Sequence, residues 1–303
     1  MLPIHFAPLQ GYTEDAFRRI HNELCGGIAE YYTPFVRMEN GGVRSKDLRD
    51  LKPEHNKGVA VTPQVIAKDA CELRTLLDVI LPMGYQKIDI NMGCPFPLQT
   101  RHGRGAGILP HPGKVQEICD AIRLYPDVMF SVKMRLGLTS SDEWKEVIPL
   151  LNEVPLRHIT LHPRVASLQY KGEVDMESFE AFTEACKHPL IYNGDVATLS
   201  QLQLLEDKYN LAGIMIGRGL LARPTLAAEY LSGKEMDTRE RIQKARQMHD
   251  RLLAHLETVI PSEAQRLTKI RTFWDFMEEE LGRKVWKKIM KAGNMKNYLA
   301  ALP

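Results

Sequence analysis

No apolar run in this 303-residue chain approaches the roughly 20 residues that a membrane-spanning helix requires, so no membrane partner is expected. The first residues, Met1-Leu2-Pro3-Ile4-His5, lack the basic start and long apolar stretch of a signal peptide. Cysteine is scarce. The five, at positions 25, 71, 94, 119 and 186, are odd in number and irregularly spaced. That excludes a disulfide framework and indicates a reducing, cytoplasmic setting. No CxxC pair occurs, so no metal site is expected. Internal repeats and low-complexity segments are absent as well. With 44% hydrophobic and 26% charged residues, the composition is that of an ordinary globular protein.

Charge is small overall but uneven. Residues 235–303 carry 14 Lys/Arg against 10 Asp/Glu, a net of +4, whereas residues 1–234 carry a net of −2. From Leu281 onward there are six basic residues and no acid. A basic tail on a near-neutral body suggests a polyanionic partner. A solvated helical face has the same charge pattern, and counts alone do not separate the two.

Eight short apolar runs read as strands: 4–8, 28–35, 59–66, 87–92, 128–135, 158–162, 190–193 and 213–217. Helix-compatible stretches lie between most of them, at 69–82, 115–124, 144–151, 176–187, 199–209 and 220–231. Alternation of this kind predicts βαβ units, and eight units in about 230 residues match a (β/α)8 TIM barrel. Segment 38–55 is polar and poorly periodic, and reads as loop with a short helix. After Gly233 the pattern turns to helices only: 238–260, then 262–281 opened by a Ser262/Gln265 capping box, then a third running to about 299. The expected organisation is an α/β barrel over 1–234 followed by a small all-helical domain over 235–303.

The run Lys87-Ile-Asp-Ile-Asn-Met-Gly-Cys-Pro95 drives a buried strand straight into Gly93-Cys94-Pro95. Proline cannot continue the ladder, so the Cys94 thiol is delivered at a strand end. Alone, Cys94 reads more readily as core filler than as a catalyst. Yet polar residues close nearly every predicted strand: Gln64, Asn91, Lys133, Arg135, His162, Asn193 with Asp195, and Arg218. In a barrel these tips converge on one mouth. A structural protein has no use for so many charges in a ring of buried strands.

The same residues resemble the tRNA-dihydrouridine synthases, bacterial flavoenzymes that use flavin mononucleotide (FMN). The similar stretches are APLQGYTEDAFRR at 7–19, IDINMGCP at 88–95, VKMRLG at 132–137, HITLHPR at 158–164 with Gln169-Tyr170-Lys-Gly172, YNGDV at 192–196 and GIMIGRGLLARP at 213–224. They span nearly the whole chain. The resemblance implies an oxidoreductase that reduces the C5=C6 bond of a tRNA uridine, with FMN as cofactor and NADPH as reductant. Cys94 is then the acid that protonates C5. Cofactor contacts fall to Ala7, Pro8 and Leu9, of which Pro8 and Leu9 form an apolar wall. Gln64 and Lys133 take the pyrimidine edge, and His162 the flavin or its phosphate side. Asn193, Gly194, Asp195, Gly217 and Arg218 form the phosphate cradle. Asn91 and Arg135 hold the uracil carbonyls. Arg101, Arg266, Lys269, Arg271 and Lys287 are the expected RNA contacts, with the loop around Arg101, His102 and Arg104 closing on the substrate. A monomer is expected.

The chain departs from the family pattern in four places. Pro97-Leu98 replaces a basic pair, His162-Pro163-Arg164 replaces HGR, Leu9-Gln10 replaces Met-Ala, and no glycine follows the Gln64 strand. Three other readings fit the barrel. They are an FMN reductase of small pyrimidines or enones, an aldolase forming a Schiff base at Lys133, and a non-enzymatic RNA-binding protein.

Overall fold

The computed structural model describes residues 1–303. Its parallel strands close into a barrel. They are β1 (Ile4–Phe6), β2 (Glu30–Tyr32), β3, β4 (Lys87–Met92), β5 (Met129–Gly137), β6 (Leu156–Val165), β7 (Leu190–Tyr192) and β8 (Gly213–Ile216). Strand β3 comes in two pieces, Val61–Thr62 and Gln64–Val65. Pro63 has no N–H to give the ladder, which breaks the run the sequence presents as continuous. The first piece pairs with β2 and the second with β4, so β3 is the strand that completes the ring. β1 pairs with both β2 and β8.

Burial on both sides explains the strand pattern. Along β4, Ile88, Ile90 and Met92 join the apolar core, while Asp89 and Asn91 point to the barrel interior. The register sets Gln64, Asp89 and Ser131 side by side across β3, β4 and β5. Two residues further on, Asn91, Lys133 and Thr160 form the next layer, on β4, β5 and β6.

The helices around the ring are α1 (Asp15–Leu24), α2 (Ala70–Ile80), α3 (Pro112–Arg123), α4 (Trp144–Leu151), α5 (Met176–Ala185), α6 (Leu199–Lys208), α7 (Arg218–Ala222) and α8 (Leu226–Ser232). Side chains cap several of them: Asp69 opens α2, Asp175 opens α5, and a Thr198/Gln201 capping box opens α6. The stretch 220–231, expected as one helix, is two, because Pro224 separates α7 from α8. Segment 38–55 holds more structure than expected. Met38–Glu39 and Gly42–Val43 form a small hairpin whose turn is Asn40-Gly41, both at positive φ. A helix, Ser45–Asp50, follows it. Arg18, fully buried, ties this segment to α1 by bonding Asp50 and Asn56.

Past the barrel come α9 (Thr238–Val259), α10 (Glu263–Arg271), α11 (Glu278–Leu281), α12 (Arg283–Met290) and α13 (Met295–Ala301). The second and third expected helices are therefore each broken, at Thr272–Trp274 and at Ala292-Gly293. Ser262 accepts the Gln265 N–H, but the return bond from the Gln265 side chain that completes a capping box is not made. These helices share an apolar cluster of their own around Trp274 and Tyr298. The Tyr298 hydroxyl joins Trp274 Nε1 and His249 Nε2. α9 packs against α1 of the barrel.

The N-terminal end of the barrel is plugged by polar groups. The Glu30 carboxylate accepts from Thr62, Lys87 and Arg157, and the Tyr32 hydroxyl lies between His5 and His158. Burial, against the attraction of Glu30, pushes His5 down to about 4, and burial with the His5 and Arg157 charges pushes His158 to about 3. Glu30 is held down to about 2, the bonds from Arg157 and Thr62 outweighing the cost of its burial. Both imidazoles are thus neutral in the fold but take up protons below about 6.5 once unfolded. The Glu30 contribution is complete above about 4.5 and is lost toward 2. All three work in one direction. The urea midpoint should fall steadily as pH drops from 6.5 to 4, and His158→Gln should flatten that slope. An unchanged midpoint between pH 7 and 4 contradicts this account of the plug.

Candidate active site

A cavity of about 330 Å³ opens at the C-terminal ends of the strands. Every residue assigned from the sequence to the acid, the cofactor or the uridine lines it: Ala7, Pro8 and Leu9 after β1, Gln64 on β3, Asn91 and Cys94 at the end of β4, Lys133 and Arg135 on β5, His162 on β6, Asn193, Gly194 and Asp195 after β7, and Gly217 and Arg218 after β8.

Asn91 builds the turn that carries the thiol. Its Oδ1 accepts the N–H groups of Gly93 (3.0 Å) and Cys94 (2.8 Å). Its Nδ2 donates to Gln64 Oε1 at 2.8 Å, and Gln64 Nε2 donates to Asp89 Oδ2 at 2.7 Å. The second Asp89 oxygen accepts from Ser131 at 2.6 Å. Backbone donors fix one end of this chain and a carboxylate the other, so both amide orientations are determined. Asp89 is fully buried. Burial raises it to about 6, against the two hydrogen bonds that favour its charge. Asn91 and Gln64 are therefore committed to the protein on one side and keep one N–H each for a ligand.

Burial also raises the Cys94 thiol, outweighing the backbone bond near Phe96 and the charges of Arg135 and Lys133. The group stays protonated at neutral pH. Gly93 lies within 3.2–3.4 Å of the β5 backbone at its would-be Cβ, so no side chain fits there without a shift. Gly105, at φ +59°, brings the following loop against Cys94, and Ala106 N–H bonds the Cys94 carbonyl.

Cations dominate the rest of the cavity. Lys133 Nζ has no hydrogen bond or ion pair within the protein. Burial and the Arg135 charge bring it down to about 8, Asp89 only partly opposing. Arg135 donates to the carbonyls of Val165 and Gln169. Burial, reinforced by Arg135, Lys133 and Arg164, keeps His162 neutral, well below the usual imidazole range. Asp195 stands at φ +42°, uncommon for a residue other than glycine. It accepts from fully buried Arg164 (2.6 Å) and from Arg218 (2.5 Å). Burial opposes its charge, but these two arginines hold its carboxyl below the usual range. The backbone N–H groups of Gly194, Asp195, Gly217 and Arg218 meet no acceptor in the protein. A Cβ on Gly194 would come within 2.9 Å of Val174 and 3.0 Å of the Tyr192 hydroxyl.

Three further wall residues were given no role from the sequence, although Tyr12 and Tyr170 lie within the stretches quoted above. Tyr170 lies under the Arg218 guanidinium, 4.3 Å from its ring centroid. Tyr12 donates to Asp275 at 2.8 Å and packs edge-on against Phe276. Phe276 brings the helical tail to the cavity. The polar positions were visible at strand tips, but these aromatics sit on loops whose approach is set by tertiary contacts.

The expected RNA residues lie outside the cavity and do not form one set. Lys269 bonds the Gly11 carbonyl and Glu14. Arg266 bonds the carbonyls of Ile260 and Pro261, and Arg271 those of Met290 and Ala292. These three fasten chain to chain. Arg101 and Lys287 are exposed and have no carboxylate partner. Nor is the loop after Cys94 a free flap. Arg104 grips Glu72 with two bonds, and residues 105–109 are buried.

A parallel barrel with a thiol, an unpartnered ammonium and free backbone donors at its C-terminal mouth defines a (β/α)8-barrel enzyme. The chain belongs to the dihydrouridine synthase family, whose family model, Dihydrouridine synthase (Dus), matches residues 5–301. It is 28% identical over 227 residues to tRNA-dihydrouridine synthase B of Pasteurella multocida, covering 74% of this chain and 67% of that one. Its identity to the Proteus vulgaris protein of the same name is 27% over 258 residues, covering 80% and 79%. Among solved structures, morphinone reductase superposes with a TM-score of 0.55 at 12% identity, over 78% of this chain and 87% of that one. Histamine dehydrogenase from Rhizobium sp. 4-9 gives 0.56 at 11%, over 76% and 46%. These last likenesses show the fold. No helix of the chain is long and apolar enough to cross a membrane.

The raised thiol yields a direct test. Alkylation of Cys94 by iodoacetamide, followed by peptide mass spectrometry, should accelerate through pH 9 without levelling off below it. A plateau below pH 8 contradicts a protonated resting thiol.

Proposed function

We propose that this chain reduces the C5=C6 bond of a uridine in tRNA to 5,6-dihydrouridine, in the cytoplasm and as a monomer, with FMN as cofactor and NADPH as reductant. One observation carries the reading. A protonated thiol, an ammonium without a partner and four unused backbone N–H groups face one cavity.

The donor set fits a flavin phosphate. Free N–H groups of Gly194, Asp195, Gly217 and Arg218, with the Arg218 guanidinium, suit a dianion, and a Cβ at 194 would displace Val174 or the Tyr192 hydroxyl. Lys133, with Gln64 beside it, suits the electron-rich pyrimidine edge of a flavin ring. Pro8 and Leu9 supply an apolar wall. Held by these residues, FMN would supply hydride chemistry at C6 of the uracil, with NADPH as the source of electrons.

The chain's own part is proton transfer and charge. Cys94 Sγ gives its proton to C5, and the thiolate left behind is stabilised by Arg135 and Lys133 until solvent reprotonates it. Asn91 keeps the sulfur in place and offers its remaining N–H to a uracil carbonyl. Arg135, anchored by two carbonyls, meets charge developing on the pyrimidine oxygen. A uridine in folded RNA must leave its stack to enter such a cavity. Residues 235–303 are read as the tRNA-binding helical domain. Lys284, Lys287, Lys288 and Lys291 support this, since none has a carboxylate partner.

A lysine brought down to about 8 and lacking a partner also suits a Schiff base. Borohydride trapping of a carbonyl substrate on Lys133 would favour that chemistry instead. For the proposed reaction, Cys94→Ala should keep bound flavin and lose dihydrouridine formation by at least about 100-fold, as expected for removal of a general acid. Nucleoside mass spectrometry of treated tRNA reads the result, and a wild-type rate in the variant contradicts the assignment of the acid.

A further inference from the structure

Large exposed apolar side chains gather at the cavity mouth. Phe96 is 64% exposed and Leu98 70%, immediately after the Cys94 turn. Leu168 and Tyr170, on the loop after β6, are about half exposed as well. Phe96 and Tyr170 themselves line the cavity. Most of the other exposed apolar residues, such as Met1, Leu124, Leu204 and Leu299, belong to separate parts of the chain. Apolar surface concentrated at the rim of a polar cavity marks a recognition surface.

The backbone of Phe96 is also held firmly. Its carbonyl accepts the N–H groups of Gln99 (2.8 Å) and Thr100 (3.0 Å), closing the short helix Pro97–Thr100. Pro97 fixes the first position of that helix, and Gln99 is buried beneath it. The next loop is clamped by the Ala106–Cys94 bond and by Arg104 on Glu72. An aromatic ring on a fixed backbone has only two side-chain torsions left to order when a flat partner settles on it. Arg101 follows on the same segment, exposed and without a carboxylate partner, whereas the charge of Arg104 is taken up by Glu72.

We propose that Phe96, with Leu98 beside it, is a stacking platform for the nucleotide next to the turned-out uridine, so that this chain grips its RNA by base stacking where the family pattern carries a basic pair. The inference rests on the function proposed above. Turning one base out of a stack exposes a face of its neighbour, and an aromatic ring at the cavity rim covers that face. Stacking of this kind carries no charge, so it separates from phosphate contact by its response to salt.

The test measures the dissociation constant of the flavin-loaded protein for an unmodified tRNA transcript at several salt concentrations, with flavin absorbance as the control for folding. Phe96→Ala should weaken binding about tenfold at every salt concentration, leaving the slope of log Kd against log salt unchanged. Phe96→Trp should bind as wild type or tighter, and Phe96→Leu should resemble Phe96→Ala. Arg101→Ala should instead lower the slope by about one. Phe96→Ala binding within twofold of wild type overturns the platform, as does a loss that disappears at high salt. If wild-type protein fails to bind the transcript at all, the tRNA reading falls and the platform with it. Wild-type binding that ignores Phe96 removes the platform alone.

Discussion

The Asn91 side-chain amide oxygen, Oδ1, sets the position of the thiol, and the rest of the mouth is arranged around that position. It takes two backbone N–H groups where β4 ends and so fixes the direction in which Gly93 and Cys94 leave the barrel. The orientation of Asn91 depends in turn on Gln64 and on the buried carboxylate of Asp89. This network is costly to bury and profitable only when every member is satisfied. Here each amide has its partner, and the layer at Gln64, Asp89 and Ser131 follows directly from strand register. A one-residue slip in β4 would turn Asp89 and Asn91 outward and bring Ile88 and Ile90 inside.

The mouth is electrically lopsided. Lys133, Arg135, Arg164 and Arg218 gather there, and Asp195 answers only Arg164 and Arg218. The repulsion this leaves, and the burial that brings Lys133 down to about 8, disfavour its charged form until an anion is bound. Local destabilisation at a site prepared for a charged ligand is a common mark of function. At the opposite end, Glu30 is matched by Lys87 and Arg157, and that end is closed.

Much of this was legible in the sequence, because the residues that line the cavity sit at strand tips and the strand pattern is strong. Cys94, Lys133, His162 and Arg218 could be placed together from order alone, given a barrel. Other features depend on contacts that sequence does not display. Pro63 was visible inside the third run, yet its consequence, a strand split between two neighbours, is a property of the closed ring. Asn40-Gly41 was a hairpin signal masked by a polar neighbourhood. The basic residues of the tail looked alike in one dimension. In the fold Arg266, Lys269 and Arg271 are taken up by carbonyls, while Lys287 stays free. Phe276 reaches the cavity only because Tyr12 and Asp275 bring the tail against the loop after β1.

The central claim is that this single mouth converts uridine in tRNA. The most direct measurement is a position-by-position map of dihydrouridine in total tRNA from cells lacking the protein, beside cells in which the wild-type chain is restored. Dihydrouridine should vanish from at least one tRNA position and return on restoration. A map unchanged by loss of the protein would contradict it.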